Sequence, residues 1–170
     1  MKIHTSEIEK IKSLKCGDIV LLSGEIYTAR DAAHKRLCES LQNGEELPFL
    51  PKNKIIYYAG PTPTKPGGII GSCGPTTSSR MDKYAPFLLD IGLLAMIGKG
   101  ERSEAVISSM IKNRAVYFGA IGGAGALISK SVTEVQTICY EDLGTEAIRK
   151  LTVKDFSVTV VIDSMGISLN

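Results

Sequence analysis

The hydrophobic pattern at the start of the chain predicts a helix and a hairpin. The Ser6-x-x-Glu9 spacing is that of a capping box, in which both side chains bond exposed backbone donors, and it predicts a short helix over residues 7–14. Apolar runs at 18–22 and 25–29 predict two strands. Because the runs follow each other closely, we expect them to pair as a hairpin.

A longer helix is predicted after this hairpin. Ala33, Leu37 and Leu41 recur at helical spacing. Asp31 stands where an N-terminal cap is expected, and Gly44 where the helix should end.

The middle of the chain changes in composition. Five of the seven prolines lie in 44–74, around an apolar run at 55–58 that predicts a buried strand within ordered loop. A short strand at 69–70 is expected to lead into a strand-to-helix turn at 71–80. The helix after this turn should run to about residue 84, and Pro86 should open another.

The second half alternates between the two kinds of element. Strands are predicted at 93–97, 115–121, 135–139 and 156–163, and helices at 103–113, 124–130 and 145–150. This alternation indicates an α/β fold with some parallel pairing, and the length fits a single domain over residues 1–170.

Composition narrows the function classes. Lys plus Arg number 20 against 18 for Asp plus Glu, so no broad positive field favours nucleic acid. Since no apolar run reaches signal-peptide or membrane-span length, we expect a cytoplasmic protein without membrane contact. The scattered cysteines, Cys16, Cys38, Cys73 and Cys139, argue against a metal site built by this chain alone.

The glycine-rich turn at 71–80 is the first candidate site. Glycines free the backbone there, a helix start would present unpaired N–H groups, and Thr76, Thr77 and Arg80 add hydroxyls and a guanidinium. Arg80 is expected about one turn into the helix, where its planar fork could bind a carboxylate through two bonds. The alternative is an ordinary capped helix start.

Two further candidates follow predicted strands. Arg30 and His34 are four residues apart at the start of a helix and could share a face. The alternatives are an Arg30 paired with a surface carboxylate and a His34 on the helix surface. Lys99 stands between two glycines at a strand end, where the alternative is a solvated loop lysine. The sequence assigns no role to His34 or to Cys73.

Nucleotide-binding motifs do not fit this chain. The tripeptide around Lys99 lacks the Ser/Thr and the upstream glycine of a P-loop. The glycine run at 119–125 follows a strand and opens a helix, but its spacing misses GxGxxG, so close helix–strand packing is favoured over a dinucleotide.

The same segments resemble a known family. Ile55-Ile56-Tyr57-Tyr58-Ala59-Gly60-Pro61, Gly74-Pro75-Thr76-Thr77-Ser78-Ser79-Arg80-Met81-Asp82 and Arg30-Asp31-Ala32-Ala33-His34-Lys35 resemble the C-terminal region of class I fumarases and tartrate dehydratases. The resemblance extends over nearly the whole chain.

This resemblance implies a fold, a cofactor and a partner. It implies a swivelling β/β/α domain with a mixed sheet and flanking helices, and a [4Fe-4S] cluster held by three cysteines of another part. In the family this region is either fused to the iron–sulfur domain or made as a separate β subunit. Because the chain begins and ends with the region, an α subunit carrying the cluster is the expected partner, in a hetero-oligomer. A homo-oligomer stays open for the isolated chain.

Residue roles carried over by the resemblance fall on the candidate sites. Arg30, Arg80 and Lys99 resemble the family's carboxylate binders. Thr77 is expected to bind the substrate together with them. Thr76 resembles a threonine that takes part in proton transfer, and the family's arrangement would supply its base from the partner chain. At 78–79 two serines replace the alanine-glycine expected in single-chain fumarases, which would mark the two-subunit branch.

Three functions remain open. The first is reversible hydration of fumarate to (S)-malate, and the second is dehydration of L-tartrate by the same apparatus. These substrates differ by one hydroxyl, which no motif distinguishes. The third is a non-catalytic ligand-binding or assembly module, which is favoured if Arg30, Thr76, Arg80 and Lys99 lie far apart.

Overall fold

A computed structural model of the chain describes residues 1–120 and 125–169. Within these ranges the α-helices are α1 (Ile8–Lys12), α2 (Asp31–Gln42), α3 (Ala85–Asp90), α4 (Glu104–Asn113) and α5 (Gly125–Ser129). The strands are β1 (Lys2–His4), β2 (Ile19–Thr28), β3 (Ile55–Tyr57), β4 (Ala95–Gly98), β5 (Val116–Ala120), β6 (Val132–Cys139) and β7 (Ile148–Ile162). Two 3-10 helices span Ser78–Met81 and Glu141–Glu146.

The strands form one mixed sheet that closes on itself. Its order is β1-β2-β3-β4-β5-β7-β6, and β2 also pairs with β7. Strands β2, β3, β4 and β5 run parallel to one another, whereas β7 runs antiparallel to both β5 and β2. Five strands therefore make a continuous ring, with β1 and β6 added outside it. This arrangement confirms the predicted α/β fold with a mixed sheet and flanking helices.

Each ring strand divides its side chains between two apolar clusters. In β3, Ile55 packs in one cluster and Ile56 in the other, as expected because successive strand residues point to opposite faces. Leu37 of α2, Leu88 of α3 and Val106 of α4 belong to the cluster of Ile56. These helices therefore cover the outer face of the strands.

The predicted hairpin at 18–29 is wrong. The two apolar runs form the single strand β2, which pairs with β7 along its length and shifts register between Leu22 and Gly24. Gly24 has a φ of +118°, and a Cβ there would lie 2.3 Å from Thr5 Oγ1. The chain does not reverse at this point, so the interruption in the apolar pattern is a β-bulge and not a turn. The positive φ and the lack of room for a Cβ explain why the bulge carries glycine.

The predicted caps of the first two helices are also wrong. Ser6 bonds the Nδ1 of His4 at 2.7 Å, and α1 begins after Glu7 without a side-chain cap. In α2 the N-cap position belongs to Arg30, and Asp31 lies in the first turn. By contrast, the helix predicted at 103–113 is present as α4, and Ser103 caps it by accepting from the Val106 N–H at 3.3 Å.

Three predicted elements differ along the rest of the chain. Residues 69–70 form no strand, and the helix expected after residue 80 is the 3-10 helix Ser78–Met81. The helix expected at 145–150 is also absent: residues 145–146 end the 3-10 helix Glu141–Glu146, and residues 148–150 start β7, where they pair with β2 and β6. The remaining predicted strands and helices exist with shifted ends. Residues 121–124 of the glycine run lie outside the described residues.

In the ranges that the structure describes, no helix combines the length and the apolar character needed to cross a bilayer.

Candidate functional site

The candidate residues follow the carboxyl ends of three neighbouring strands. β2, β3 and β4 are parallel, so their carboxyl ends meet at one edge of the sheet. Arg30 lies two residues beyond β2, and Lys99 directly follows β4. Ligands bind outside the carboxyl ends of parallel strands both in open α/β sheets and in closed α/β barrels.

The loop that carries the threonines joins the same edge. The Thr76 N–H donates to the Tyr58 carbonyl at 2.7 Å, and the Ser78 N–H donates to the Lys99 carbonyl at 2.9 Å. Thr77 and Lys99 therefore pair as an isolated parallel β-bridge. The N–H groups of Thr76 and Ser78 therefore extend the sheet, which corrects the expectation that this turn offers them to an anion.

Arg80 is tied to the start of α2. Its Nε lies 3.3 Å from Oδ2 of Asp31, and its side chain is 48% exposed. Asp31 directly follows Arg30, so this ion pair connects the segments that carry the two arginines. Arg30, Thr76, Thr77, Arg80 and Lys99 are thus all attached to one end of the ring.

Lys99 also faces a separate space. A cavity of about 530 Å³ is lined by Lys99, Gly100, Tyr117 and Leu169, among others. Arg30, Thr76 and Arg80 do not line this cavity. The structure thus brings the backbones of the predicted residues together without enclosing all their side chains in one pocket.

Arg30 lies against the backbone near Gly60. A Cβ at Gly60 would approach its Cδ to 2.8 Å. None of the ion pairs among the described residues involves Arg30, and its buried Nε has no hydrogen-bond partner. The alternative of a surface pair with a carboxylate is therefore wrong. The α2 N-terminus itself is capped from another segment, because the Ala32 N–H donates to Glu146 Oε1 at 3.2 Å.

His34 lies under Arg30 in the core. Its side chain is completely buried, and Nδ1 bonds the Arg30 carbonyl at 2.8 Å. A carbonyl only accepts, so Nδ1 carries the proton. Burial lowers the pKa of His34 to about 4, despite the opposing effect of this hydrogen bond. The expectation of a helix-surface histidine is wrong: His34 is a neutral core residue.

The described residues contain no group of three or more His, Cys, Asp or Glu side chains placed to hold a metal. Cys73 is buried, and burial raises the pKa of its thiol to about 12, which keeps it protonated. Cys38 is likewise buried, with its pKa raised by burial to about 11. These thiols do not fit the ligand set of an iron–sulfur cluster, which requires clustered thiolates.

One buried group behind the edge was missed by the sequence analysis. Arg102 has no exposed side-chain surface and pairs with Asp82, Nε to Oδ1, at 2.8 Å. Ser78 and Tyr117 are also buried and bond each other through their hydroxyls at 2.8 Å. Arg102 lies in a polar stretch of sequence, so no hydrophobic pattern distinguishes it from a surface arginine.

Comparison with known proteins gives consistent results. The family model described as "Fumarase C-terminus" matches residues 1–170. Fumarate hydratase 2 of Leishmania major is 39% identical over 160 residues, which cover 93% of this chain and 28% of the relative. The aerobic class I fumarate hydratase of Escherichia coli K12 is 42% identical over 147 residues, covering 85% of this chain and 27% of the relative.

A further relative is of similar length to this chain. The putative L(+)-tartrate dehydratase subunit beta of Methanocaldococcus jannaschii is 40% identical over 165 residues, covering 94% of this chain and 85% of the relative. In contrast, the chain spans less than a third of the fumarate hydratases that it matches. Because the family model matches residues 1–170, the chain belongs to the fumarase C-terminus family.

Proposed function

We propose that this chain is the β subunit of a two-subunit hydro-lyase that reversibly hydrates fumarate to (S)-malate. The observation that carries this proposal is the attachment of Arg30, Arg80, Lys99 and Thr76 to the carboxyl edge of β2, β3 and β4. Three cations and one hydroxyl carried by the same end of the ring suit a small dicarboxylate. The fumarate hydratase names of the relatives support the same substrate class.

The cations would act on charge that develops during the reaction. Removing the proton next to a carboxylate builds negative charge on the substrate, and fixed cations stabilise that charge more strongly in the transition state than in the ground state. Arg30 and Arg80 would bind carboxylate oxygens through their planar guanidinium groups. Lys99 would add a point charge from the carboxyl end of β4.

Thr76 would take part in proton transfer at the substrate carbon, with Thr77 beside it in substrate binding. Its backbone is held by the Tyr58 carbonyl, which limits how far the loop can move. A threonine hydroxyl is a weak acid, so Thr76 requires an adjacent base. In this proposal the base is a carboxylate of the α subunit.

The partner would also hold the [4Fe-4S] cluster. Its open iron would supply Lewis-acid chemistry for the departure of hydroxide. The described residues of this chain, which lack a metal-ligand group, would contribute binding and orientation.

L-tartrate is the second candidate substrate. The relative of similar length is named as a tartrate dehydratase β subunit, which supports both the separate-subunit arrangement and this alternative. The same cations would bind its two carboxylates.

Anaerobic co-expression with a candidate α subunit tests the proposal. The purified assembly is assayed on malate, fumarate and both tartrate enantiomers. Turnover of malate and fumarate is expected. Preference for L-tartrate would replace the first substrate with the second. An assembly that carries the cluster but converts none of the four would indicate a non-catalytic module.

A further inference from the structure

A buried cation lies directly behind the candidate site. The Arg102 guanidinium donates from Nε to Asp82 at 2.8 Å and from Nη2 to the Tyr58 hydroxyl at 3.0 Å. It also stacks 4.8 Å from the centre of the Tyr117 ring. The second oxygen of Asp82 accepts the Ser103 N–H at 2.7 Å. This buried charge is therefore neutralised and bonded on several sides, as a charge removed from water requires.

A hydroxyl pair continues this network to the loops. Tyr117 donates its proton to the Gly100 carbonyl at 2.8 Å, so in the Ser78–Tyr117 bond the Ser78 hydroxyl is the donor. Ser78 approaches Gly98 so closely that a Cβ there would lie 2.0 Å from Ser78 Oγ. Two loops are thus joined through one tyrosine oxygen.

These contacts surround both exposed cations. Lys99 lies between Gly98 and Gly100, and each of these glycines is contacted by the network. Arg80 lies between Ser78 and Asp82, which the network also holds. The residues that flank the two cations are therefore bound to the same buried groups, whereas the side chains of Lys99 and Arg80 extend outward.

We propose that Arg102 and Tyr117 are positioning residues that fix the separation between Lys99 and Arg80, and so match the two cations to the carboxylates of one substrate. This inference rests on the proposed function. In this inference both residues act through the loops that carry the cations and not by binding the substrate. Loss of either should widen the range of Lys99–Arg80 separations and weaken substrate binding more than it slows the chemical step.

Replacing Tyr117 with phenylalanine tests the hydroxyl link. Tyr117→Phe keeps the ring under Arg102 and removes the bonds to Ser78 and Gly100. Tyr27→Phe is the matched control, because Tyr27 is also buried and its hydroxyl contacts only Glu25, at 3.3 Å, among the bonds of the described residues. In the assembled enzyme we expect KM for the dicarboxylate to rise roughly tenfold in Tyr117→Phe, with kcat within about threefold of wild type. Tyr27→Phe should change neither.

Arg102→Lys tests whether the planar guanidinium group is required. A lysine keeps the charge but cannot bridge Asp82 and the Tyr58 hydroxyl in the same plane, so KM should rise here as well. If Arg102→Lys does not fold, Tyr117→Phe still decides the matter. A purely structural network would lower the melting temperature of Tyr117→Phe and leave KM unchanged, and that result would overturn the inference.

Amide hydrogen exchange on the full-length chain provides a readout independent of activity. Residues 76–82 and 99–102 should exchange faster together in Tyr117→Phe than in Tyr27→Phe. If the wild-type assembly converts no substrate, the proposed function fails, and exchange still tests the coupling of the loops. Unchanged exchange in both segments would contradict that coupling.

Discussion

Thr76 combines an anchored backbone with a hydroxyl at the sheet edge. Valine nearly matches threonine in volume but lacks the hydroxyl, so the Tyr58 bond should survive in Thr76→Val. We expect kcat of the assembled enzyme to fall roughly 10²-fold or more, the scale of a positioned proton-transfer group, with KM little changed. Exchange of the substrate C3 proton with solvent should fall in parallel.

Thr133→Val is the control for this change. Thr133 lies in β6, and its hydroxyl donates to the Thr152 carbonyl at 3.2 Å, away from the site. Its kcat and proton exchange should match wild type. A Thr76→Val enzyme with near-normal kcat and exchange would indicate that Thr76 only anchors its loop.

Arg80 is expected to contribute geometry as well as charge. Arg80→Lys keeps the charge but loses the planar pair of donors, so KM should rise on the order of tenfold, and kcat should also fall if the contact tightens in the transition state. Arg36→Lys is the control, because Arg36 makes a two-bond contact with Asp142 on the surface. Equal KM values for the two variants would show that Arg80 does not bind the substrate.

His34 makes stability depend on pH in a predictable direction. Its folded pKa of about 4 lies below the ordinary value of 6.5, so the unfolded chain binds more protons between these values. The free energy of unfolding should therefore fall as pH drops through about 6.5 towards 4, by roughly 2 kcal/mol between pH 7 and pH 5. Urea unfolding at several pH values measures this loss.

Two glutamine variants assign the effect to one histidine. His34→Gln should lose most of this dependence, whereas His4→Gln should keep it, because His4 is exposed. The same pH dependence in His34→Gln as in wild type would contradict a neutral buried His34.

Residues of the site differ in how visible they are in the sequence. Thr76 and Arg80 stand out because glycines and hydroxyls surround them locally. The burial of His34 and Arg102 cannot be seen in the sequence, because it depends on helices and loops brought together from distant parts of the chain. Glu146 caps α2 from far along the sequence, which local cap rules do not anticipate.

Among the elements, those with a strong local signal were predicted best. α4 has helical spacing and a serine cap, and β3 is a compact apolar run. β2 and β7 were predicted poorly because their lengths come from pairing with each other. A bulge and a turn look alike in one strand's sequence, and only the partner strand distinguishes them.

Gly98 shows how closely two elements approach. In Gly98→Ala, the new Cβ would lie 2.0 Å from Ser78 Oγ and 2.9 Å from Tyr58 Cδ2. Because Ser78 must move, we expect a loss of about 1–3 kcal/mol in the free energy of unfolding, measured in urea. Gly74→Ala should be tolerated, since its nearest neighbour would lie at 3.6 Å. Equal stability of the two variants would contradict this packing.

For the molecule as a whole, the apolar clusters on both faces of the ring predict a chain that folds without its partner. Purified alone, it should unfold cooperatively but show no hydratase activity and no visible absorption, because its described thiols do not form a cluster site. Circular dichroism, absorption spectra and malate assays check these points. Iron-independent turnover by the isolated chain would refute the two-subunit proposal.

The long strand β7 also bears on how the chain folds during synthesis. Ile19 of β2 pairs with Thr159 of β7, so the ring cannot close until the ribosome has released nearly all the described residues. Contacts between such distant residues form slowly, because a long loop must be ordered before they are gained. Until then β2 and β5 expose open edges, the surfaces through which nascent chains aggregate. The yield of folded protein in cells should thus depend on chaperones that shield these edges until β7 has been synthesised and pairs with them.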